Sequence, residues 1–154
     1  LGDVYKRQPI WKETERGDQM VLIVCVDDHN GMMFNHRRQS QDRVLRADIL
    51  ELTDGKKLWM NAYSRKQFAE SDAEKIRVDE TFLDAAGNGE FCFVENADVS
   101  GCVERIEEIY LYRWNRDYPA DVYFPVDLSV WKCMETKEFA GSSHEKITRE
   151  RYTR

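Results

Sequence analysis

Short blocks of unbroken apolar residues alternate along this chain with stretches in which apolar residues recur every third or fourth position. VLIVCVDD at 21–28 is the first block, and a β-branched run of this kind predicts a strand covered on both faces. HNG at 29–31 is a turn signal. In SQDRVLRADILELTDG, residues 40–55, Val44, Leu45, Ile49 and Leu52 fall near the helical period. Ser40 or Asp42 is suited to cap the start of that helix, and Gly55 closes it. KLWMNAYS at 57–64 predicts a second short strand, and RKQFAES after it a helical turn. KIRV at 75–78 predicts a short strand, VDETFLDAAGNG a helix ending at Gly87, and EFCFVEN at 90–96 a strong strand. ADVSGCVERIEE is helical in part despite Gly101, and Ile109 to Trp114 forms the core of a further strand.

Beyond YPAD the pattern changes to two extended segments, VYFPVDLSVWKCMETKEFAG and HEKITRERYTR, around a GSS turn. Helices interleaved with buried strands and then a hairpin predict an α/β fold. Its central sheet is mostly parallel, flanked by helices, and ends in a C-terminal antiparallel hairpin. Trp59, Phe93, Tyr110, Tyr112 and Trp114 belong to its apolar strands, and Trp131 anchors the hairpin. There are no repeats, linkers or low-complexity tracts.

The start of the chain lies outside this pattern. Asp3–Gln8 is what one reading frame of a sequencing-transposon end encodes, so residues 1–8 read as an adaptor scar. Arg16-Gly17 is encodable as a ribosome-binding sequence at a suitable distance before Met20. Residues 9–19 then read as translated leader, and residues 20–154 as a single domain. Residues 1–19 carry acids and bases in equal number, so the net charge of −6 belongs to the remainder. An acidic surface argues against generic nucleic-acid binding, which needs a broad basic footprint. VLIVCV is too short to span a bilayer and has no secretory n-region or cleavage site, so the cytoplasm is the expected compartment. The four cysteines, Cys25, Cys92, Cys102 and Cys133, are widely spaced with no C-x-x-C and read as reduced thiols.

Several blocks carry a family likeness in the right order: VLIVCVDDHNGMMFN, LWMNAYS, FCFVENADV, ERIEEIYLYRW, DVYFPVDLSVWKCMETKEF and SSHEKITRERY. Together they resemble dihydrofolate reductase: its first strand and loop, its strand before M-G-R-x-T, its strand before a Gly-Gly pair, its D-x-I-Y-L strand and its closing hairpin. The likeness covers most of residues 20–154, with a shortened portion around residues 69–89. It implies a dihydrofolate reductase-like fold and a small-molecule ligand. By the same resemblance Asp42 takes the place of the carboxylate that binds the pterin and assists protonation, with Asp48 second. Asp42 also reads as a first-turn acid favoured by the helix dipole. Arg37, Arg38, Gln39 and Ser40 fall on the substrate side, and Asn61, Ser64 and Asn96 on the cofactor side, where NADPH is the group the family implies. His144 matches a structural histidine of the hairpin, while Asp27 and Asp28 read as turn and solvent residues.

Apart from the shortened portion around residues 69–89, the departures from the family fall at the site. Glu95-Asn96 stands at the Gly-Gly position, where a carboxylate repels a pyrophosphate and side chains obstruct its approach. Ala62 stands where the family's Arg pairs with the 2′-phosphate, although Ser64 keeps a hydroxyl in place of Thr. Arg38-Gln39-Ser40 replaces an apolar L-P-W wall. With Arg37, Arg43 and Arg46 it offers charge-assisted contacts to an anion, which His36 is placed to tune. The expectation is a degenerate member with a remodelled polar and basic cleft, binding a small anionic or nucleotide-like ligand without ordinary NADPH-dependent reduction. The alternative is a reductase of dihydrofolate or a related pterin.

RRQSQDR, LWMNAYS and SSHEKIT are also similar to stretches of short bacterial proteins called ribonuclease Z, which makes an RNA-interacting protein a second alternative. That nuclease needs an H-x-H-x-D-H cluster for two zinc ions, and this sequence has only His29, His36 and His144, so no metal site is expected.

Overall fold

The computed structural model describes residues 18–68 and 74–154. The leader and scar assigned to the start of the chain lie outside the described residues, save residues 18–19. Part of the RKQFAES turn lies outside them as well. The unbroken apolar run becomes β1 (Met20–Val26), the middle strand of a seven-stranded sheet. Leu22, Ile23 and Val24 are wholly buried there because both faces of the sheet are covered.

The chain then forms a hairpin of β2 (Gly31–Phe34) and β3 (Arg37–Arg38). Asn35 and His36 both have positive φ, at 51° and 61°, between paired Phe34 and Arg37. Those angles twist a two-residue turn as a tight antiparallel hairpin requires. Helix α1 (Arg43–Leu52) follows, then β4 (Leu58–Met60), the one-turn helix α2 (Ala62–Arg65), β5 (Ile76–Val78), α3 (Phe82–Ala85) and β6 (Phe91–Val94). β7 (Ile106–Arg113), the short β8 (Val122–Tyr123), β9 (Lys132–Phe139) and β10 (Ile147–Thr153) complete the chain.

Sheet order is β5-β4-β6-β1-β7-β10-β9, and a small second sheet has order β3-β2-β8. β1 runs parallel to β6 and β7, and β4 runs parallel to β5 and β6, whereas β10 is antiparallel to both β7 and β9. This is the mixed α/β architecture with an antiparallel C-terminal hairpin that the apolar pattern predicts. One face packs Leu45 and Ile49 of α1 and Phe68 against Ile23, Phe93 and Tyr112. The other face is covered less by helix than the pattern suggests. Met32 and Met33 of β2, Phe82 of α3, Val99, Phe124 and Trp131 pack there. The segment around Gly101, Ser100–Arg105, is two short 3-10 stretches joined across a kink at Cys102. The first of the two C-terminal extended segments is broken by another at Leu128–Val130, capped by Asp127. No helix among the described residues is long and apolar enough to cross a membrane.

Asp48 joins α1 to the hairpin: its carboxylate accepts from Tyr112 Oη (2.6 Å), Arg149 Nη1 (2.8 Å) and Lys137 Nζ (3.0 Å). Core position decides the cost of truncation. Ile49→Ala, at a wholly buried site, is expected to lower unfolding free energy in urea by roughly 2–5 kcal/mol. Val130→Ala, at a site 75% exposed, is expected to change it by less than about 0.5 kcal/mol.

Candidate functional site

Parallel strands all end on one side, and in open α/β sheets ligands bind beyond those carboxyl ends. Here β1 ends into Asp27, β4 into Asn61, β6 into Glu95 and β7 into Trp114. The β9–β10 turn, which holds Gly141 to His144, lies on the same side because Phe139 pairs with Ile147 and Thr148 with Arg113. The stretch from Arg38 to Asp42 leaves the β2–β3 hairpin and runs along this edge, meeting its strands in turn.

Arg38 reaches the end of β6. Its Nε donates to Glu95 Oε2 at 2.8 Å and its Nη2 to Glu95 Oε1 at 3.1 Å, a bidentate pair. The guanidinium lies 4.5 Å from the centre of the Tyr63 ring, and Tyr63 Oη accepts from Arg38 N–H at 2.8 Å. Glu95 is buried and also accepts from Ser64 Oγ (2.8 Å) and Gln67 Nε2 (3.1 Å). Cys25 lines the same small enclosed space, and burial followed by the Glu95 charge pushes its thiol well above the ordinary range.

Gln39 reaches the end of β1. Its Nε2 donates to Asp27 Oδ2 (2.9 Å) and to the Pro119 carbonyl (3.2 Å). Asp27 is 1% exposed, not a solvent residue as its Asp-Asp setting suggests, whereas Asp28 is exposed. Burial pushes the Asp27 carboxyl up. Donors outweigh it and hold the group below its usual range: the amides of Gly31 and His29, Gln39, and the amide of Tyr118. Gly31 makes this approach possible. A Cβ there would lie 2.7 Å from Gln39 Nε2 and 2.8 Å from Asp27 Oδ2.

Ser40 and Asp42 reach the β9–β10 turn. Asp42 is the N-cap of α1, accepting from Val44 N (2.9 Å) and Leu45 N (3.2 Å), and is 1% exposed. Its carboxylate also accepts from Ser142 N (2.9 Å) and Ser143 N (2.8 Å), and meets His144 Nδ1 at 2.9 Å. Burial pushes the Asp42 carboxyl up, but the Ser142 and Ser143 amides, His144 and the Leu45 amide hold it far below the usual carboxylate range. Any Cβ at Gly141 would collide with this carboxylate and with Ile147. His144 is buried, stacked on Trp114 with ring centres 4.6 Å apart, and its Nε2 meets Ser40 Oγ (3.1 Å) and Tyr118 Oη (3.0 Å).

The cofactor-side residues are likewise engaged. Asn61 caps α2 through Ser64 N (3.0 Å) and donates to Asn96 Oδ1 (2.8 Å), while Glu80 accepts from the Ala62 amide (2.9 Å). Arg37 differs from the rest: it is exposed, and its side chain has no hydrogen-bond or ion-pair partner among the described residues. It borders a groove of about 290 Å³ with Phe34, Tyr118 and Pro119. His36 is exposed on the turn beside it. Gln39 Oε1 is a buried acceptor without a partner among the described residues. Among the described residues no group of three His, Cys, Asp or Glu side chains is placed to hold a metal ion.

Sequence reasoning brings Arg38, Gln39, Ser40, Asp42, Ser64, Asn61 and Asn96 to this edge, but it misses what they bind. Ser142, Ser143, Tyr118 and Gln67 had no signal as partners. The GSS turn read only as a turn. Glu95 was visible as a carboxylate in a phosphate position, but not as the partner of Arg38.

The depressed carboxyl of Asp42 fixes a sign. Its contribution to stability is present above the unfolded-state value near ~3.9 and is lost as pH falls below it toward the lower folded value. Asp42→Ala is expected to cost roughly 2–5 kcal/mol at neutral pH, through the lost cap and the orphaned amides. Urea unfolding at several pH values checks both effects: the variant shows a shallower loss of stability in acid than the native chain.

No family profile and no curated protein matches this sequence. Among solved structures, the chain is similar to dihydrofolate reductase from Enterococcus faecalis, complexed with NADP(H) and RAB-propyl. The TM-score is 0.64 at 11% identity, over 88% of this chain and 96% of that one. The chain has a dihydrofolate reductase-like fold.

Proposed function

We propose that this is a small-ligand-binding protein on the dihydrofolate reductase fold, with Met20–Arg154 as its domain. Its remodelled polar and basic cleft takes a small anionic or nucleotide-like ligand, and it lacks ordinary NADPH-dependent reductase activity. One observation carries the reading: the Glu95 carboxylate sits at the end of β6 and takes up Arg38, Ser64 and Gln67, the donors an incoming phosphate would need. A dinucleotide there would have to displace a paired, buried carboxylate, and an unpaired buried charge costs several kcal/mol. The first amide of α2 is already bound to Glu80, and Ala62 supplies no cation. These residues do not fit NADPH.

The anionic ligand is assigned to the groove beside Arg37. Its volume suits a small molecule, with aromatic and proline walls from Phe34, Tyr118 and Pro119. Arg37 supplies the charge.

Thermal melting with NADPH, alongside absorbance with NADPH and dihydrofolate, tests the reading. No turnover and no saturable shift are expected. A reductase saturated about 100-fold above its Kd would melt roughly 5–10 °C higher. Such a shift with turnover overturns the proposal in favour of the reductase.

A further inference from the structure

We infer that Ser40, His144 and Asp42 form a nucleophile, base and orienting acid, making Ser40 a reactive serine toward small carboxylic esters. This goes beyond ligand binding at Arg37 and does not depend on it. Ser40 Oγ lies 3.1 Å from His144 Nε2, and His144 Nδ1 lies 2.9 Å from Asp42 Oδ2. This is the connectivity that lets a serine hydroxyl lose its proton as it attacks a carbonyl. The ring is held in place. Trp114 stacks on its face, and the Asp42 carboxylate is itself fixed by the amides of Ser142, Ser143, Val44 and Leu45. With Nδ1–H given to Asp42, Nε2 is left as an acceptor facing Ser40.

Burial sorts the roles. His144 and Asp42 are buried, while Ser40 is half-buried and Gln41 exposed, so the nucleophile is the member that solvent reaches. The backbone amides of Ser40 and Gln41 donate to no oxygen among the described residues. An amide of the nucleophile and the amide following it are the donor type that stabilises a developing oxyanion. Arg37 and Arg43 flank the segment, exposed and without ion-pair partners among the described residues, which favours esters that carry an anionic group. Tyr118 Oη shares Nε2 at 3.0 Å, and its oxygen is placed to accept Nε2–H once His144 is protonated.

In the reaction Ser40 Oγ bonds to the ester carbonyl carbon and its proton passes to His144 Nε2. The carbon–oxygen bond to the leaving alcohol breaks, and the alcohol takes that proton. Water then bonds to the carbonyl carbon of the acyl-serine and gives a proton to His144 Nε2. The bond from that carbon to Ser40 Oγ breaks, Oγ takes the proton from Nε2, and the acid leaves with Ser40 and His144 restored. Asp42 is a positioning residue throughout.

The test is intact-mass and peptide mass spectrometry of the full chain after exposure to a small alkyl fluorophosphonate, with p-nitrophenyl acetate hydrolysis followed in parallel. With the fluorophosphonate, an oxygen–phosphorus bond forms at Ser40 and fluoride leaves. The expected result is one adduct, on Ser40, absent in Ser40→Ala. It forms roughly 100-fold or more slowly in a His144→Gln variant whose melting shows it folded. No adduct on the native chain overturns the proposal whatever the variants do. So does an adduct on Tyr118 or another residue, or equal p-nitrophenyl acetate hydrolysis by Ser40→Ala.

Discussion

The bidentate contact between Arg38 and Glu95 is the interaction on which the carboxyl edge of this sheet depends. A parallel sheet leaves strand ends and loop amides converging on one side, and something must satisfy them. Here the satisfying groups come from the chain itself. Arg38 holds the end of β6, Gln39 the end of β1, and Ser40 with Asp42 the β9–β10 turn. Neighbouring strands lie about 4.8 Å apart and an extended residue advances about 3.3 Å. A short extended run can therefore step from one strand end to the next, with side chains covering the difference.

This arrangement decides what the cleft can offer. The guanidinium of Arg38 and the hydroxyl of Ser64 both serve Glu95, so the basic character inferred from the run of arginines is largely neutralised at the centre. It survives at the rim, at Arg37. Asp42, the residue that the family likeness nominates as proton donor, is an ion held by amides and bridged to His144. A carboxyl stabilised so strongly in its charged form is a poor acid at neutral pH and a good anchor.

Much of the scaffold is legible in the sequence because its strands are buried on both faces, which leaves them as unbroken apolar runs such as VLIVCV. The start of α1 is legible for a local reason, since Asp42 caps amides two and three residues ahead. The lesser elements are less so. Helical character is expected at both Phe82–Ala85 and Ser100–Arg105. The first is a single turn and the second two short 3-10 stretches joined across a kink at Cys102, too short for a period to fix their extent. Asp127 interrupts an otherwise extended segment. The site was legible by position and not by pairing. Asp42 and Ser142 are separated by 100 residues, and Arg38 and Glu95 by 57, so their contact is a product of topology. Asp27 and Asp28 are identical in chemistry, and only the geometry at the end of β1 turns one inward.

A double-mutant cycle on Arg38 and Glu95 measures whether this pair organises the carboxyl edge of the sheet. Urea unfolding of the native chain, Arg38→Met, Glu95→Gln and the double variant gives the coupling free energy. A coupling of about 1.5 kcal/mol or more is the result for a pair that organises the edge. Additivity within about 0.5 kcal/mol would mean that the edge stands without the pair.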